Sequence, residues 1–173
     1  MKCPACGYEN ISGVDACEHC LQPLVDFDAP IAQSPVERLI LENPVSTLRP
    51  AAPICVAADE PLASTMQLMI ERKIGCLLVM EDTRMTGIFT ERDALMKVGA
   101  EAAEAAHSPI RDYMTPDPET IDATASVAFA LHKMDLGGYR HLPVMNAHDQ
   151  PTGVISVRDI LRFLTQEYAA KPR

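Results

Sequence analysis

"TGIFTERD" at residues 86–93 and "TGVISVRD" at residues 152–159 follow one pattern: Thr, Gly, two apolar residues, a hydroxyl, a variable position, then Arg-Asp. The match extends outward from both. At a shift of 65 residues Pro44 falls on Pro109, Pro53 on Pro118, Val56 on Ile121 and Leu62 on Val127. Leu77, Val79 and Met80 likewise fall on Leu142, Val144 and Met145. One residue is added within "NAHDQPT", a polar, turn-like segment. Beyond it the shift is 66, and Gly87, Arg92, Asp93 and Leu95 fall on Gly153, Arg158, Asp159 and Leu161. Two copies of one unit account for this self-similarity.

Each copy reads β-α-β-β-α, an α/β (α+β) arrangement. A short strand surrounds Val56 or Ile121. Apolar residues at Leu62, Met66, Met69 and Ile70, or at Val127, Leu131 and Met134, have helical spacing. The strands "CLLVM" and "HLPVM" follow, each leading through a polar turn to "TGIFT" or "TGVIS", so these neighbours are expected to be antiparallel. A last helix begins near Glu91 or Val157. Ahead of the first copy, "SPVERLILEN" carries a capping signal: Ser34 as N-cap, Pro35 at the first helical position, Glu37 three residues after the cap. Met66 and Met69 are read as core fillers. Cys55 and Cys76, in apolar strands, are read as buried thiols without a chemical role. His107, His132 and His148 are expected to face solvent.

The repeated hydroxyl and acid support two readings. Thr90 with Asp93, and Ser156 with Asp159, resemble capping boxes with Asp in place of Glu, which requires no ligand. The same helix start presents free N–H groups to a phosphate, and a carboxylate there can accept both hydroxyls of a ribose. A Gly ahead of the corner permits close backbone approach.

Composition limits the alternatives. Hydrophobic residues make up 47% of the 173, enough for a core, but aromatics are 5% and Trp is absent, so the core is aliphatic with nine Met. A net charge of −9 argues against nucleic acid and anionic membrane as partners. Apolar runs such as 74–80 are far shorter than the roughly 20 residues of a membrane span, and "MKCPACG" lacks a signal-peptide core, so a cytoplasmic location is expected.

Four of the six Cys lie in "CPACGYENISGVDACEHC". Cys3 and Cys6 form one C-x2-C and Cys17 and Cys20 another, the spacing of a closed four-thiolate zinc site. Iron can occupy the same set. Gly7 suits the turn of the first knuckle, Leu21 stands where the second would take Gly, and His19 is not needed as a ligand. From Met1 to Leu24 one Lys stands against Glu9, Asp15 and Glu18, which disfavours a phosphate-binding surface and favours protein contact or a structural cap. The segment resembles a bacterial zinc ribbon.

The remaining residues resemble a tandem pair of CBS (cystathionine β-synthase) domains, the Bateman module. "GIFTERD" and "GVISVRD" match that family's G-h-h-[TS]-x-x-D signature, and "IRDYMTPDPETI" and "GGYRHLPVM" match two further segments. The resemblance gives a zinc ribbon at 1–25, a linker at 26–34, CBS domain 1 at 35–105 and CBS domain 2 at 106–173. It implies a regulatory ligand sensor, not an enzyme, that takes an adenosine ligand: AMP, ADP, ATP or S-adenosylmethionine. It carries ribose and phosphate contacts onto Thr90 and Asp93 and onto Ser156 and Asp159. Adenine-pocket positions fall on Ile54, Cys55 and Val56 and on Glu119, Thr120 and Ile121, and phosphate contacts fall on Arg140 and His141. Copy one has Gly75 and Cys76 where copy two has the basic pair, so the two sites are expected to differ. A homodimer formed through the CBS pair is expected, with a protein partner on the ribbon. The alternative is a structural or dimerisation adaptor without a small-molecule ligand; a metal-thiolate redox protein is a third reading.

Overall fold

A computed structural model describes residues 3, 6–11, 14, 16–24, 32, 34–98 and 102–169. The linker expected at 26–34 lies outside them, apart from Ala32 and Ser34. Helix α1 (Pro35–Glu42) starts as its cap dictates: Ser34 Oγ accepts from Glu37 N at 3.2 Å and Glu37 Oε2 accepts from Ser34 N at 3.1 Å. A 3-10 turn (Val45–Leu48) leads to β1 (Cys55–Ala57), α2 (Leu62–Arg72), β2 (Cys76–Glu81) and β3 (Arg84–Thr90). Helix α3 (Glu91–Asp93) runs into a π-helical turn (Ala94–Val98), followed by α4 (Ala102–Ala105) and a 3-10 turn (Ile110–Asp112). Copy two supplies β4 (Thr115–Pro116), β5 (Ile121–Asp122), α5 (Val127–Gly137), β6 (His141–Met145), β7 (Pro151–Ser156) and α6 (Val157–Ala169). The fold is mixed α/β with two sheets, ordered β1-β2-β3-β4 and β5-β6-β7. β1 runs parallel to β2, and β2 antiparallel to β3, as the crossover helix and the short turn require.

Two compact units form. One comprises Met1–Pro50, Ile121–Val144 and Ile155–Arg173; the other comprises Ala51–Thr120 and Met145–Val154. The segment leading into each copy therefore joins the body of the other. In the first unit Val45 N donates to Ala125 O (2.8 Å), Ser46 N to Ala123 O (2.9 Å) and Val127 N to Asn43 O (2.9 Å). Val45 and Leu48 are buried there with Val127, Leu142, Ile155 and Ile160. In the second unit Ile110 N donates to Glu60 O (2.9 Å) and Arg111 N to Ala58 O (3.1 Å), and β4 pairs with β3. Ile110 is buried there with Leu62, Leu77, Val79 and Phe89.

The structure corrects several expectations. Cys55 is exposed because β1 is an edge strand that turns Cys55 and Ala57 outward and only Val56 inward. Ile70 is 69% exposed. The buried stripe of α2 runs through Leu62, Thr65 and Met69, and Thr65 is tolerated inside because its hydroxyl donates to Pro61 O at 3.1 Å. Gly87 accommodates protein, since a Cβ there would run into the sulfur of Met114. Cys76, Met69 and the exposed His107, His132 and His148 lie where expected.

Gly87→Val is thus expected to wedge β3 away from Met114 and destabilise the second unit by about 1–3 kcal/mol, the scale of overpacking. Urea unfolding of the variant checks this, and an unchanged midpoint contradicts it.

Candidate functional site

Both repeated corners form as capping boxes, from the same atoms. In copy one Asp93 Oδ2 accepts from Thr90 N (3.0 Å) and Thr90 Oγ1 (2.6 Å), and Thr90 Oγ1 accepts from Asp93 N (3.2 Å). In copy two Asp159 Oδ2 accepts from Ser156 N (2.8 Å) and Ser156 Oγ (2.6 Å), and Ser156 Oγ accepts from Asp159 N (3.4 Å). The first helical N–H is taken in both by the residue just ahead of the neighbouring strand, β2 or β6: Glu91 N donates to Gly75 O and Val157 N to Arg140 O, each at 3.1 Å.

The second carboxylate oxygens differ. Asp93 Oδ1 accepts from Thr115 Oγ1 (2.9 Å) and pairs with Lys97 Nζ (2.8 Å). Lys97 also donates to Met114 O (2.7 Å) and Thr115 Oγ1 (3.2 Å). Asp93 is only 8% exposed. Burial would raise its carboxyl pKa, but the Lys97 ammonium and the Thr90 and Thr115 hydroxyls outweigh it and hold the group below its ordinary value. At the repeat shifts Thr115 corresponds to Pro50 and Lys97 to Phe163, so copy two has neither the hydroxyl nor the ammonium. Asp159 Oδ1 meets Arg162 Nη1 at 3.0 Å, and the Arg162 side chain is 64% exposed. An exposed ion pair of this kind contributes about 0–1 kcal/mol and yields easily to a competing donor.

Asp159 also lines a cleft of about 580 Å³, with Asn43, Ser46, Thr47, Arg49, Arg162 and Phe163 among its walls. That volume is in the range of small-molecule sites. Arg49 ends the 3-10 turn at φ 54°, its N–H donating to Ser46 O at 3.1 Å. Sequence reading missed Arg49, Ser46 and Thr47, because the repeat pairs Arg49 with Met114 and no motif marks it. Arg140 is exposed just ahead of β6, beside the second corner, and His141 is half-buried; Gly75 and Cys76 leave the first corner without such a pair. Ile54 and Val56 are half-buried and Cys55 exposed, while Glu119 is exposed and Thr120 half-buried. Ile121 turns its side chain into the core.

At the N-terminus the four Cys Sγ atoms lie within 4.8 Å of one another. The Cys3–Cys20 and Cys6–Cys17 separations are 3.7 and 3.6 Å. A tetrahedron of Zn–S bonds of about 2.3 Å has edges of about 3.8 Å, so these two separations match those of a four-thiolate zinc site, and iron takes the same four-thiolate set. The two knuckles repeat each other. Gly7 N donates to Cys3 O (2.9 Å) and Leu21 N to Cys17 O (2.8 Å), and Leu21 takes φ 58° where Gly7 takes 77°. Burial would raise the Cys17 thiol, but the backbone amides of Cys20 and His19 and the Asn10 amide lower it to about 6. Burial pushes Cys6 and Cys20 up. Asn10, another residue not foreseen, is 5% exposed and ties the knuckles together. Its amide nitrogen donates to Tyr8 O (3.0 Å) and reaches Cys17 Sγ (3.5 Å), and its oxygen accepts from Glu18 N (2.9 Å). His19 stacks on Tyr8 with ring centroids 5.5 Å apart. Among the described residues no helix is long and apolar enough to cross a membrane.

The family model of the CBS domain matches the chain twice, at residues 45–99 and 110–166. The chain is 33% identical over 126 residues to a 17.7 kDa protein of Acidianus ambivalens, covering 72% of this chain and 70% of that one. It is 30% identical over 108 residues to a CBS domain-containing protein of Arabidopsis thaliana, covering 62% of this chain but only 19% of the relative's length. Among solved structures it resembles a CBS domain protein from Pyrobaculum aerophilum complexed with AMP, with a TM-score of 0.63 and 22% identity, over 75% of this chain and 100% of that one. At that identity the likeness speaks to the fold. With two matches that fall on the two sequence copies and together span more than half of its length, the chain belongs to the CBS-domain family.

Proposed function

We propose that this chain is a regulatory module, not a catalyst, that binds an adenosine ligand of the AMP, ADP, ATP or S-adenosylmethionine class at the Ser156–Asp159 corner. The observation that carries this reading is that Asp159, whose Oδ1 is paired with the exposed and easily displaced Arg162, lines a cleft that also presents Arg49, with Glu167 as its second acid. Ribose hydroxyls would displace Arg162 from Asp159, and the freed guanidinium, with Arg49 and Arg140, would meet phosphate through charge-assisted bonds. The AMP complex of the Pyrobaculum relative supports this ligand class. The Thr90–Asp93 corner supports the adaptor alternative within copy one: its carboxylate is already filled by Thr90, Thr115 and Lys97, which makes it a clasp on β4.

In this reading Cys3, Cys6, Cys17 and Cys20 hold a structural zinc and the ribbon offers a surface to a protein partner. The sequence units are the ribbon at 1–25, the linker at 26–34 and the CBS copies at 35–105 and 106–173. The module works as a homodimer in the cytoplasm. When bound, zinc supplies the tetrahedral centre that closes the two knuckles, and Asn10 holds Cys17 in place from behind.

Asp159→Asn is expected to weaken AMP binding at least about tenfold, because a charged acceptor is lost from two hydroxyls. Asp93→Asn is expected to leave AMP affinity unchanged and to lower stability by about 1–2 kcal/mol. The sign of the pH effect follows from the depressed Asp93 pKa: its contribution is present above the ordinary carboxylate pKa and lost as pH falls through the folded value. Titration calorimetry at about pH 7 decides the first and urea unfolding at about pH 7 and about pH 2 the second, the gap between Asp93→Asn and the parent closing at the lower pH; equal AMP affinity in the two variants and the parent contradicts the assignment. Elemental analysis should find about one zinc per chain, and Cys17→Ser should release it. Full metal retention in that variant would refute the four-thiolate set.

A further inference from the structure

The ribbon is not an independent appendage. Cys6 and Cys20 pack against the core cluster that buries Val45, Leu48, Leu142 and Ile160. Val45 and Leu48 anchor the 3-10 turn whose Ser46, Thr47 and Arg49 wall the cleft. Ile160 and Phe163 anchor α6, which brings Asp159 and Arg162 to the same cleft. The metal centre and the walls of the cleft therefore rest on one packed cluster.

We infer that metal binding at the four-cysteine centre orders the walls of the Asp159 cleft and so regulates what binds there. This coupling rests on the zinc and ligand readings proposed above. A ribbon of roughly two dozen residues is too small to hold a core of its own, so its order comes from the metal. Metal loss withdraws Cys6 and Cys20 from the cluster, and a close-packed core responds to lost contacts by shifting the elements it anchors. By linkage, a ligand in the cleft strengthens metal retention by the same factor as metal strengthens the ligand. The second unit supplies an internal control, because among the described residues its cluster around Leu62, Phe89 and Ile110 includes none from the ribbon.

The test uses the full chain, zinc-loaded and after treatment with a chelator, with zinc release measured directly. Hydrogen exchange is expected to speed up in peptides covering 43–49 and 157–167 and to stay unchanged across β2 and β3. AMP affinity should fall about fivefold or more, and AMP should slow zinc loss to the chelator. Unchanged exchange in the cleft peptides after verified zinc release overturns the inference, as does a rise spread equally over β2 and β3. If the zinc-loaded chain binds no AMP, the ligand reading fails by itself and the exchange result still decides the coupling. A chain with no metal to release refutes the metal reading and this inference together.

Discussion

A carboxylate that reaches back across a strand-to-helix corner is the interaction on which both copies depend. Asp93 and Asp159 each accept from the backbone N–H and the hydroxyl of the residue that ends the strand. The bond satisfies an otherwise orphaned donor, sets the direction of the helix and places a negative charge at its positive end. It uses one oxygen only. What the other oxygen does separates the copies. Asp93 commits it to Thr115 and Lys97, while Asp159 turns it toward an exposed arginine and a cleft. One device thus serves as a fastening in copy one and as the candidate ligand acceptor in copy two.

The exchange of leading segments gives this difference its cause. Thr115 reaches Asp93 because the segment that precedes copy two pairs with β3 of copy one. The segment that precedes copy one meets copy two in the same manner, but it carries Pro50 in the matching position and Arg49 beside it. A hydroxyl that could close the second corner is missing, and a guanidinium that could attract an anion stands at the cleft. The residues that distinguish the corners lie outside the repeated octapeptides.

Much of this was legible in the sequence where the signal is local. The Ser34 cap, the two hydroxyl–acid corners, the β2–β3 pairing and the four-cysteine spacing each depend on residues close together in the chain, and each appears as read. The remainder depends on partners far apart. β4 is two residues long and exists only because β3 offers it an edge, so periodicity carries no trace of it. Ile70 fits the apolar pattern of α2 yet is exposed, because the covered face of the helix runs through Leu62, Thr65 and Met69 and leaves Ile70 to one side. Asn10 and Arg49 act through long-range contacts that no motif announces.

Two of the four cysteines, Cys6 and Cys20, pack on the cluster that also carries the Asp159 cleft, and the neighbours of Asp93, Ala94 and Met114, pack on another. On the proposed reading, only one of two sequence-equivalent corners is open to a ligand. The most direct measurement is the stoichiometry of AMP binding to the zinc-loaded full chain by titration calorimetry. A single site per chain is the expected result, and two equivalent sites per chain would contradict it.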